Sequence, residues 1–468
     1  MKADDLIDMI GDADDSLIAE AKADRNNKSL RERKVPKWIY WTAAAACLCI
    51  VAVISALKLF PGDNGANSGV TLAKAADLMQ GITPRKAAAG KKADAYSSEV
   101  SDFAVRLYRT CDRSSEGKEN TLISPLSVML ALSMTSNGMT DRTLKEAEDV
   151  LGMSVDDLNV FSNAYMQMLT NRIKAEGTLM LANAIWFKTD PGFTVNTDFL
   201  QTNADYYCAE LYAAPFDLTT LNDINGWVSK KTDAMIPRIL NDLSEDAIMC
   251  LVNAVAFDAE WDKPYEAREV EEGSFKTAEG EEVQVTFLNG VQNLYLQDEN
   301  STGFIKGYKG GKYAFAAILP KEGMTPEAYL ETQTGKHLSQ MLAGAEERPV
   351  ITSLPKFTTE YSKEDMADLL GEMGMKRAFD AERAEFGKLG TYEGENIHIN
   401  KVVHKAFLSL DENGTHAGAA TAATITYGGI FSPEEMREVR LDRPFIYMLI
   451  DTEANIPIFI GTMRNPGE

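Results

Sequence analysis

Residues 411–427 read DENGTHAGAATAATITY. After Glu412 this segment has no acidic or basic side chain apart from one histidine, no proline, and no large apolar residue before Ile425. From Thr415 onward, every second residue is small or apolar. Because side chains alternate along a strand, an extended form would present one face of small, uncharged side chains. The segment is therefore suited to be a loop in one state and a buried central strand in another.

The charge of the chain is acidic and is concentrated in its larger part. The 468 residues carry a formal net charge of −23, and residues 98–468 hold 58 of the 70 acidic residues but only 33 of the 47 basic ones. Nucleic-acid binding depends on Lys and Arg at phosphates, so an acidic domain with no basic stripe argues against that partner. The ordinary consequence of such a charge is solubility.

Residues with catalytic or metal-binding chemistry are few. Two of the five cysteines lie in an apolar segment and the other three are far apart, so neither a disulfide framework nor zinc-ligand spacing is present. The chain has four histidines, and it lacks the nucleophile-elbow, phosphate-loop, dinucleotide-binding and zinc-protease motifs. We therefore expect a protein that is not an enzyme and that needs no metal or cofactor.

Residues 38–60 read WIYWTAAAACLCIVAVISALKLF and are long and apolar enough to cross a bilayer as a helix. Basic residues cluster just before this segment, whereas Lys58 is the only one close to its end. The positive-inside rule then predicts that residues 1–37 are cytoplasmic and that the chain after about residue 60 is outside the cell. A cleaved signal peptide is the alternative, although its apolar core is usually shorter and nearer the N-terminus.

The rest of the chain divides into a linker and a globular domain. Residues 61–97 are rich in Gly, Ala, Lys and Ser, as linkers are, with one or two helical turns conceivable at 75–79. From residue 98 to 468 the pattern is globular. Helices are predicted at 102–108 and 124–137, and buried strands at 179–187, 251–257, 313–319 and 445–450. Helices first and strands later indicate an α+β fold with one large antiparallel or mixed sheet.

Seven motifs in residues 98–468 occur in the order found in the serpin family. They are ISPLS (123–127), LANAIWF (181–187), LVNAVAF (251–257) followed by Trp261, LPKF (354–357), VHKA (403–406) before DENGT (411–415), RPF (443–445), and FIG (459–461) with NP (465–466). Each is weak alone, but together they make the domain resemble a serpin.

The resemblance implies a fold and a mechanism. The fold would have a large central mixed β-sheet, additional sheets, about nine helices and an exposed reactive-centre loop. The mechanism would be suicide inhibition of serine proteases: the protease attacks the loop, forms an acyl-enzyme, and is trapped when the cleaved loop inserts into the main sheet.

The resemblance also assigns residues to the hinge of the loop and to the region where the sheet opens. The hinge would comprise Glu412, Gly414, Thr415, Ala417, Ala419 and Thr421, whose mostly small side chains suit insertion because burying an unpaired charge is costly. The shutter, where the sheet opens, would comprise Ser124, Ser127, Asn253 and His404. Trp261 would lie where the loop first enters, and an ordinary core aromatic is an equal alternative for it.

The bond that a protease would cleave is placed by spacing from Glu412 at Gly428–Gly429. The stretch that follows is longer than is usual in the family, so Tyr427–Gly428, Ile430–Phe431 and Phe431–Ser432 remain candidates. The next basic residue is Arg437. Since a trypsin-like protease needs Arg or Lys to meet its pocket carboxylate, this window favours elastase-, chymotrypsin- or subtilisin-like targets.

Two hypotheses for the function follow. The first is a monomeric suicide inhibitor of serine proteases, held at the outer face of a bacterial membrane by residues 38–60 in contact with the lipid bilayer. The bacterial source is expected because animal members of the family usually lack such an anchor. The second is a non-inhibitory serpin that acts as a surface binding module. A lesser third reading, in which residues 1–37 report loop cleavage to the cell interior, has no supporting motif in that segment.

Overall fold

The computed structural model describes residues 75–85, 90–114, 119–172, 177–393, 396–415 and 436–467. The helices and strands predicted between residues 102 and 450 are all present. The α+β class is therefore confirmed.

Nine α-helices lie within these ranges. They are α1 (Ser97–Ser114), α2 (Pro125–Ser136), α3 (Asp141–Leu151), α4 (Val155–Thr170), α5 (Thr197–Tyr207), α6 (Leu218–Lys231), α7 (Pro326–Glu331), α8 (Gly335–Ala343) and α9 (Ala367–Met373). Six of them begin at a Ser, Thr, Asn or Asp whose side chain accepts a hydrogen bond from the first turn. Such caps satisfy backbone N–H groups that have no partner within the helix.

Eighteen strands lie in the described part of the chain. They are β1 (Ala76–Asp77), β2 (Thr121–Ile123), β3 (Thr178–Lys188), β4 (Phe193–Val195), β5 (Glu210–Ala214), β6 (Met249–Glu260), β7 (Val270–Lys276), β8 (Glu282–Gln297), β9 (Ser301–Gly307), β10 (Tyr313–Pro320), β11 (Glu346–Pro355), β12 (Phe357–Lys363), β13 (Gly390–Tyr392), β14 (Lys401–Leu410), β15 (Gly414–Thr415), β16 (Arg437–Arg440), β17 (Phe445–Asp451) and β18 (Ile456–Met463).

The central sheet has seven strands in the order β1-β5-β3-β6-β15-β14-β12. The β3–β5 and β6–β14 pairs are parallel, and the other neighbours are antiparallel. The large mixed sheet that the resemblance implied is therefore present. A second sheet has nine strands, with β16-β11-β8-β9-β10-β17-β18-β2 in order and β7 on β8, and β4 pairs with β13 separately.

Helix α2 is the buried support of the central sheet. All twelve of its residues are buried, and it packs against β3, β6 and β18. Hydroxyl side chains do not prevent this burial, because those of Ser133, Thr135 and Ser136 donate to carbonyls of the preceding turn. Pro125 stands at its first turn, where a missing N–H costs nothing, and the Ser124 side chain caps it. The start of α2 lies under the middle of the sheet, where the Ser124 backbone N–H donates to His404 of β14.

The helical turn considered for residues 75–79 is absent. Ala76 and Asp77 form β1 instead, pairing with Ala213 and Tyr212 of β5, and the Leu78 N–H donates to the Leu211 carbonyl. An edge strand has unpaired backbone groups that readily accept another extended segment. Part of the segment whose composition suggests a linker is therefore attached to the sheet edge.

Several predicted features lie outside the described residues. These are the cytoplasmic segment 1–37, the apolar segment 38–60, and residues 416–435, which include the candidate cleavage sites. Among the described helices, none combines the length and apolar character needed to cross a bilayer.

Candidate functional site

The two middle strands of the central sheet are paired along most of their length and parted at one end. Strands β6 and β14 pair directly at the seven positions from Lys401 to Phe407 of β14. Beyond them, β15 lies between the two strands: Gly414 pairs with β6, and Thr415 pairs with both. The hinge segment has therefore already entered the sheet as the first two residues of an extra strand.

Thr415 occupies a closed site beneath this opening. Its side chain is fully buried, and its hydroxyl oxygen lies 2.6 Å from the hydroxyl oxygen of Tyr308. Tyr308 stacks on Trp261 with ring centroids 4.4 Å apart and an interplanar angle of 13°. Burial raises the pKa of Tyr308, which keeps its hydroxyl protonated. The site accepts a short hydroxyl side chain and leaves no room for a long or charged one.

The residues leading into β15 are held by backbone hydrogen bonds. The Trp261 indole N–H donates to the Asp411 carbonyl at 2.9 Å, and its backbone N–H donates to the Asn413 carbonyl at 2.8 Å. The Tyr265 N–H donates to the Glu412 carbonyl at 2.8 Å. Trp261 is thus a buried aromatic that also binds the hinge backbone.

Glu412 is held through its side chain as well. Its carboxylate accepts a hydrogen bond from the Lys356 ammonium at 2.5 Å. That contact holds the pKa of Glu412 below its ordinary value. Both groups are about one third exposed, so the pair orients the hinge more than it stabilises the fold.

A row of polar side chains crosses the three middle strands where they are closed. Asn183 of β3, Asn253 of β6 and His404 of β14 are register partners. The Asn253 amide donates to the Asn183 side-chain oxygen, and its own oxygen accepts a hydrogen bond from His404 Nδ1. Because Asn253 and His404 are fully buried, these bonds satisfy groups that would otherwise be costly to bury.

The start of α2 completes this row from below. The Ser124 backbone N–H donates to His404 Nε2 at 3.1 Å, and the Ser124 hydroxyl donates to the Ile458 carbonyl at 2.7 Å. The Ser127 hydroxyl accepts from the Asn253 amide at 2.5 Å. Since a backbone N–H can only donate, Nε2 carries no proton and the imidazole is neutral. Burial also lowers the pKa of His404 to about 3.

A buried lysine lies under the point of loop entry. Lys306 of β9 is 4% exposed, and its ammonium lies 4.2 Å from the Tyr265 ring centre and 5.2 Å from that of Trp261. It donates one hydrogen bond, of 2.9 Å, to the Lys263 carbonyl. Burial lowers the pKa of Lys306 to about 7. The hinge therefore sits above a poorly solvated cation partly offset by two aromatic faces.

The structure brings together all the described members of the predicted site. Ser124, Ser127, Asn253 and His404 form one hydrogen-bonded group, and Trp261 contacts the hinge. Gly414 and Thr415 lie in β15 and Glu412 just before it. The hinge residues Ala417, Ala419 and Thr421 and the cleavage candidates Tyr427, Gly428, Gly429, Ile430, Phe431 and Ser432 lie outside the described residues.

The predicted site did not include Asn183, Tyr308 or Lys306, nor Tyr265 and Lys356, which bind Glu412. Asn183 had a detectable signal, because a polar residue interrupts an apolar strand there in the same Asn-Ala pattern as Asn253-Ala254. Tyr308 and Lys306 had none, because nothing in the sequence around β9 links it to a hinge more than a hundred residues away.

The arrangement is suited to opening and closing rather than to covalent chemistry. His404 is neutral, buried and bonded at both ring nitrogens, so it is not a free base. Within the described ranges, no group of His, Cys, Asp and Glu side chains is arranged to hold a metal ion. The site consists of two parts: the polar row of Asn183, Asn253 and His404, where the strands are closed, and the opening between β6 and β14, which already contains Thr415.

Comparison with known proteins agrees with this geometry. The serpin (serine protease inhibitor) family model matches residues 98–466. An uncharacterised serpin-like protein of Thermococcus kodakarensis is 30% identical over 78% of this chain and 85% of its own length. The plasma serine protease inhibitor of Mus musculus is 27% identical over 83% of this chain and 97% of its own.

Solved structures show the same likeness. The native state of tengpin, a thermophilic serpin, matches with 42% identity and a TM-score of 0.78, covering 84% of this chain and all of tengpin. The latent state of the same protein matches with a TM-score of 0.69. The fold, the ordered motifs and these matches together show that the chain belongs to the serpin family.

Proposed function

We propose that the chain is a suicide inhibitor of serine proteases that traps its target by inserting its cleaved loop between β6 and β14. The observation that carries the proposal is the position of Thr415, which is already buried between these strands as the start of an additional one. The direct pairing of β6 with β14 from Lys401 to Phe407 supports a sheet that can still receive a strand there.

Continuing the β15 register indicates what insertion would do. Successive side chains of the inserted strand would point to opposite faces of the sheet, so Ala417, Ala419 and Thr421 would follow Thr415 on the inner face. The same register puts Thr421 level with both Asn253 and His404. Insertion must break the hydrogen bond between these two side chains, and the Thr421 hydroxyl would then lie between them as a replacement partner.

The proposed targets are elastase-, chymotrypsin- or subtilisin-like proteases. This rests on residues 427–432, which offer Tyr, Gly, Ile and Phe but no basic residue to fit a trypsin-like pocket. The name of the mouse relative, a plasma serine protease inhibitor, supports the broader partner class.

We further propose that the inhibitor is monomeric and tethered to the outer face of a bacterial membrane by residues 38–60. The support is the apolar character of that segment and the basic cluster that precedes it. Fractionating cells that express the full chain, and digesting intact cells with an added protease, tests the anchor and its orientation.

The inhibitory function is tested by mixing the full chain, solubilised in detergent, with pancreatic elastase, chymotrypsin, subtilisin and trypsin. We expect an SDS-resistant complex with at least one of the first three, and a cleaved loop whose new terminus, read by mass spectrometry, lies within residues 427–432. Cleavage by all of them without any complex would contradict the inhibitory reading and favour a binding module.

A further inference from the structure

Three large apolar side chains are conspicuously exposed among the described residues: Leu218 at 77%, Val291 at 53% and Ile351 at 42%. Single exposed apolar residues are common and need no explanation. Val291 and Ile351, however, are direct register partners on the adjacent strands β8 and β11. They therefore form one apolar pair on the outside of the second sheet.

This pair lies beside the strand that receives the end of the loop. Strand β16 pairs in parallel with β11, and Ile351 is the register partner of Glu438. Glu438 forms an exposed ion pair with Arg440, whose atoms approach to 3.8 Å. The apolar pair is thus bordered, on the loop side, by charges that neutralise each other.

The reach of the loop places a bound protease over this pair. The candidate cleavage sites end at Ser432, five residues before β16 begins, and an extended chain spans at most about 3.5 Å per residue. The bond at Phe431–Ser432 would thus lie within roughly 20 Å of β16. A globular protease of about 200 residues is roughly 40 Å across. A protease bound at the loop would therefore be wide enough to cover β11 and β8, which follow β16 in the sheet.

We propose that Val291 and Ile351 form a second contact for the target protease, docking against an apolar patch beside its active-site cleft. The proposal rests on the inhibitory function proposed above and adds a binding surface outside the loop. Two side chains expose far less than the about 800 Å² per partner that a stable interface buries. The pair therefore contributes only to a partner already anchored by the loop, which favours the protease over a second copy of this chain.

The test compares association rates with the protease that forms the SDS-resistant complex. The variant carrying Val291→Asp and Ile351→Asp is compared with the wild type and with Leu218→Asp. Leu218 is a matched control because it is also exposed. It follows the C-terminal end of β5, which lies at the end of the central sheet opposite the hinge. A second variant, with Val291→Thr and Ile351→Thr, keeps the branched shape that strands favour and guards against loss of folding.

We expect the association rate constant to fall about tenfold in the double Asp variant, corresponding to about 1.4 kcal/mol, and by less in the double Thr variant. Leu218→Asp is expected to keep the wild-type rate, and all variants to keep the wild-type ratio of complex to cleaved product, because insertion is unaffected.

An unchanged rate in both double variants, while the complex still forms, overturns this inference alone. Loss of self-association in the double variants, measured by light scattering, would instead assign the pair to a contact between copies. If the wild-type chain forms no complex with any protease, the proposed function and this inference fall together.

Discussion

The Thr415 side-chain oxygen lies 2.6 Å from the Tyr308 hydroxyl, and both side chains are fully buried. Tyr308 stacks on Trp261, which in turn binds the backbone of Asp411 and Asn413. The hinge is therefore docked in a fitted site while β6 and β14 are still paired beyond it. Insertion would extend β15, which is already paired with both neighbours, so the first pairing of a new strand does not have to form.

Thr415→Arg should convert the inhibitor into a substrate. A guanidinium cannot fit beside Tyr308, so we expect β15 to leave the sheet in the intact variant. Insertion would then have to bury the guanidinium without a partner, at a cost of several kcal/mol. Since each ~1.4 kcal/mol changes a rate tenfold, insertion should slow by about a hundredfold or more. The measurement is the ratio of SDS-resistant complex to cleaved inhibitor.

A matched control for this change is Thr391→Arg, an exposed threonine of β13, which pairs only with β4. It should leave the ratio at the wild-type value. Persistent complex formation by Thr415→Arg would show that insertion past Thr415 is not the trapping step.

Thr421→Val should weaken the inserted form selectively. The β15 register puts this hydroxyl between Asn253 and His404 after insertion, and leaving such buried groups without a partner costs about 1–3 kcal/mol. Valine has the same shape but no hydroxyl. We expect a lower Tm for the loop-cleaved protein and an unchanged Tm for the intact one.

Thr424→Val provides the control for Thr421→Val, because the same register puts residue 424 on the opposite face of the inserted strand. It should leave both Tm values unchanged. Equal effects of the two substitutions on the cleaved form would show that the register does not continue from β15 as described.

His404 should make the protein less stable in acid. The unfolded chain binds a proton at this residue below about pH 6.5, whereas burial lowers the pKa of His404 to about 3 in the folded state. Between these values only the unfolded state is protonated, so stability is full above pH 6.5 and falls as the pH drops toward 3. The slope should approach about 1.4 kcal/mol per pH unit.

Urea unfolding at a series of pH values measures this slope. His404→Gln should remove that part of the pH dependence, although it also lowers stability at pH 7 by disturbing the polar row. His337→Gln, whose imidazole is about half exposed, should keep the wild-type slope. A pH dependence unchanged by His404→Gln would mean that other groups control acid sensitivity.

Site residues that belong to a short contiguous motif could be predicted from the sequence. Those whose position depends on how far β6 and β14 are separated could not. Ser124, Asn253 and His404 each belong to a short motif, so the resemblance to the serpin family assigns them. The burial of Thr415 cannot be assigned in this way, because it depends on how far β6 and β14 have parted. Lys306 also escapes prediction, because an isolated lysine in an apolar strand normally has an exposed head group.

Replacing Lys306 with methionine should raise the stability of the intact protein. The Lys306 ammonium faces the Trp261 and Tyr265 rings and has one hydrogen-bond acceptor, with Asp262, Glu269 and Lys263 as the nearby charged groups. Burial lowers its pKa to about 7, against 10.5 when unfolded. Stability should therefore rise with pH from about 7 to 10.5, because only the unfolded state keeps its proton there.

Lys306→Met should abolish that rise and add about 1–3 kcal/mol at pH 7, as well-packed apolar replacements of buried charges often do. The change is measured as a higher Tm and a flatter stability profile between pH 7 and 10. Lys309→Met is the control, because its exposed ammonium pairs with Glu260 and such surface pairs contribute little. A lower Tm for Lys306→Met would show that the two aromatic faces more than offset the cost of burying the charge. The lysine would then hold the hinge region closed.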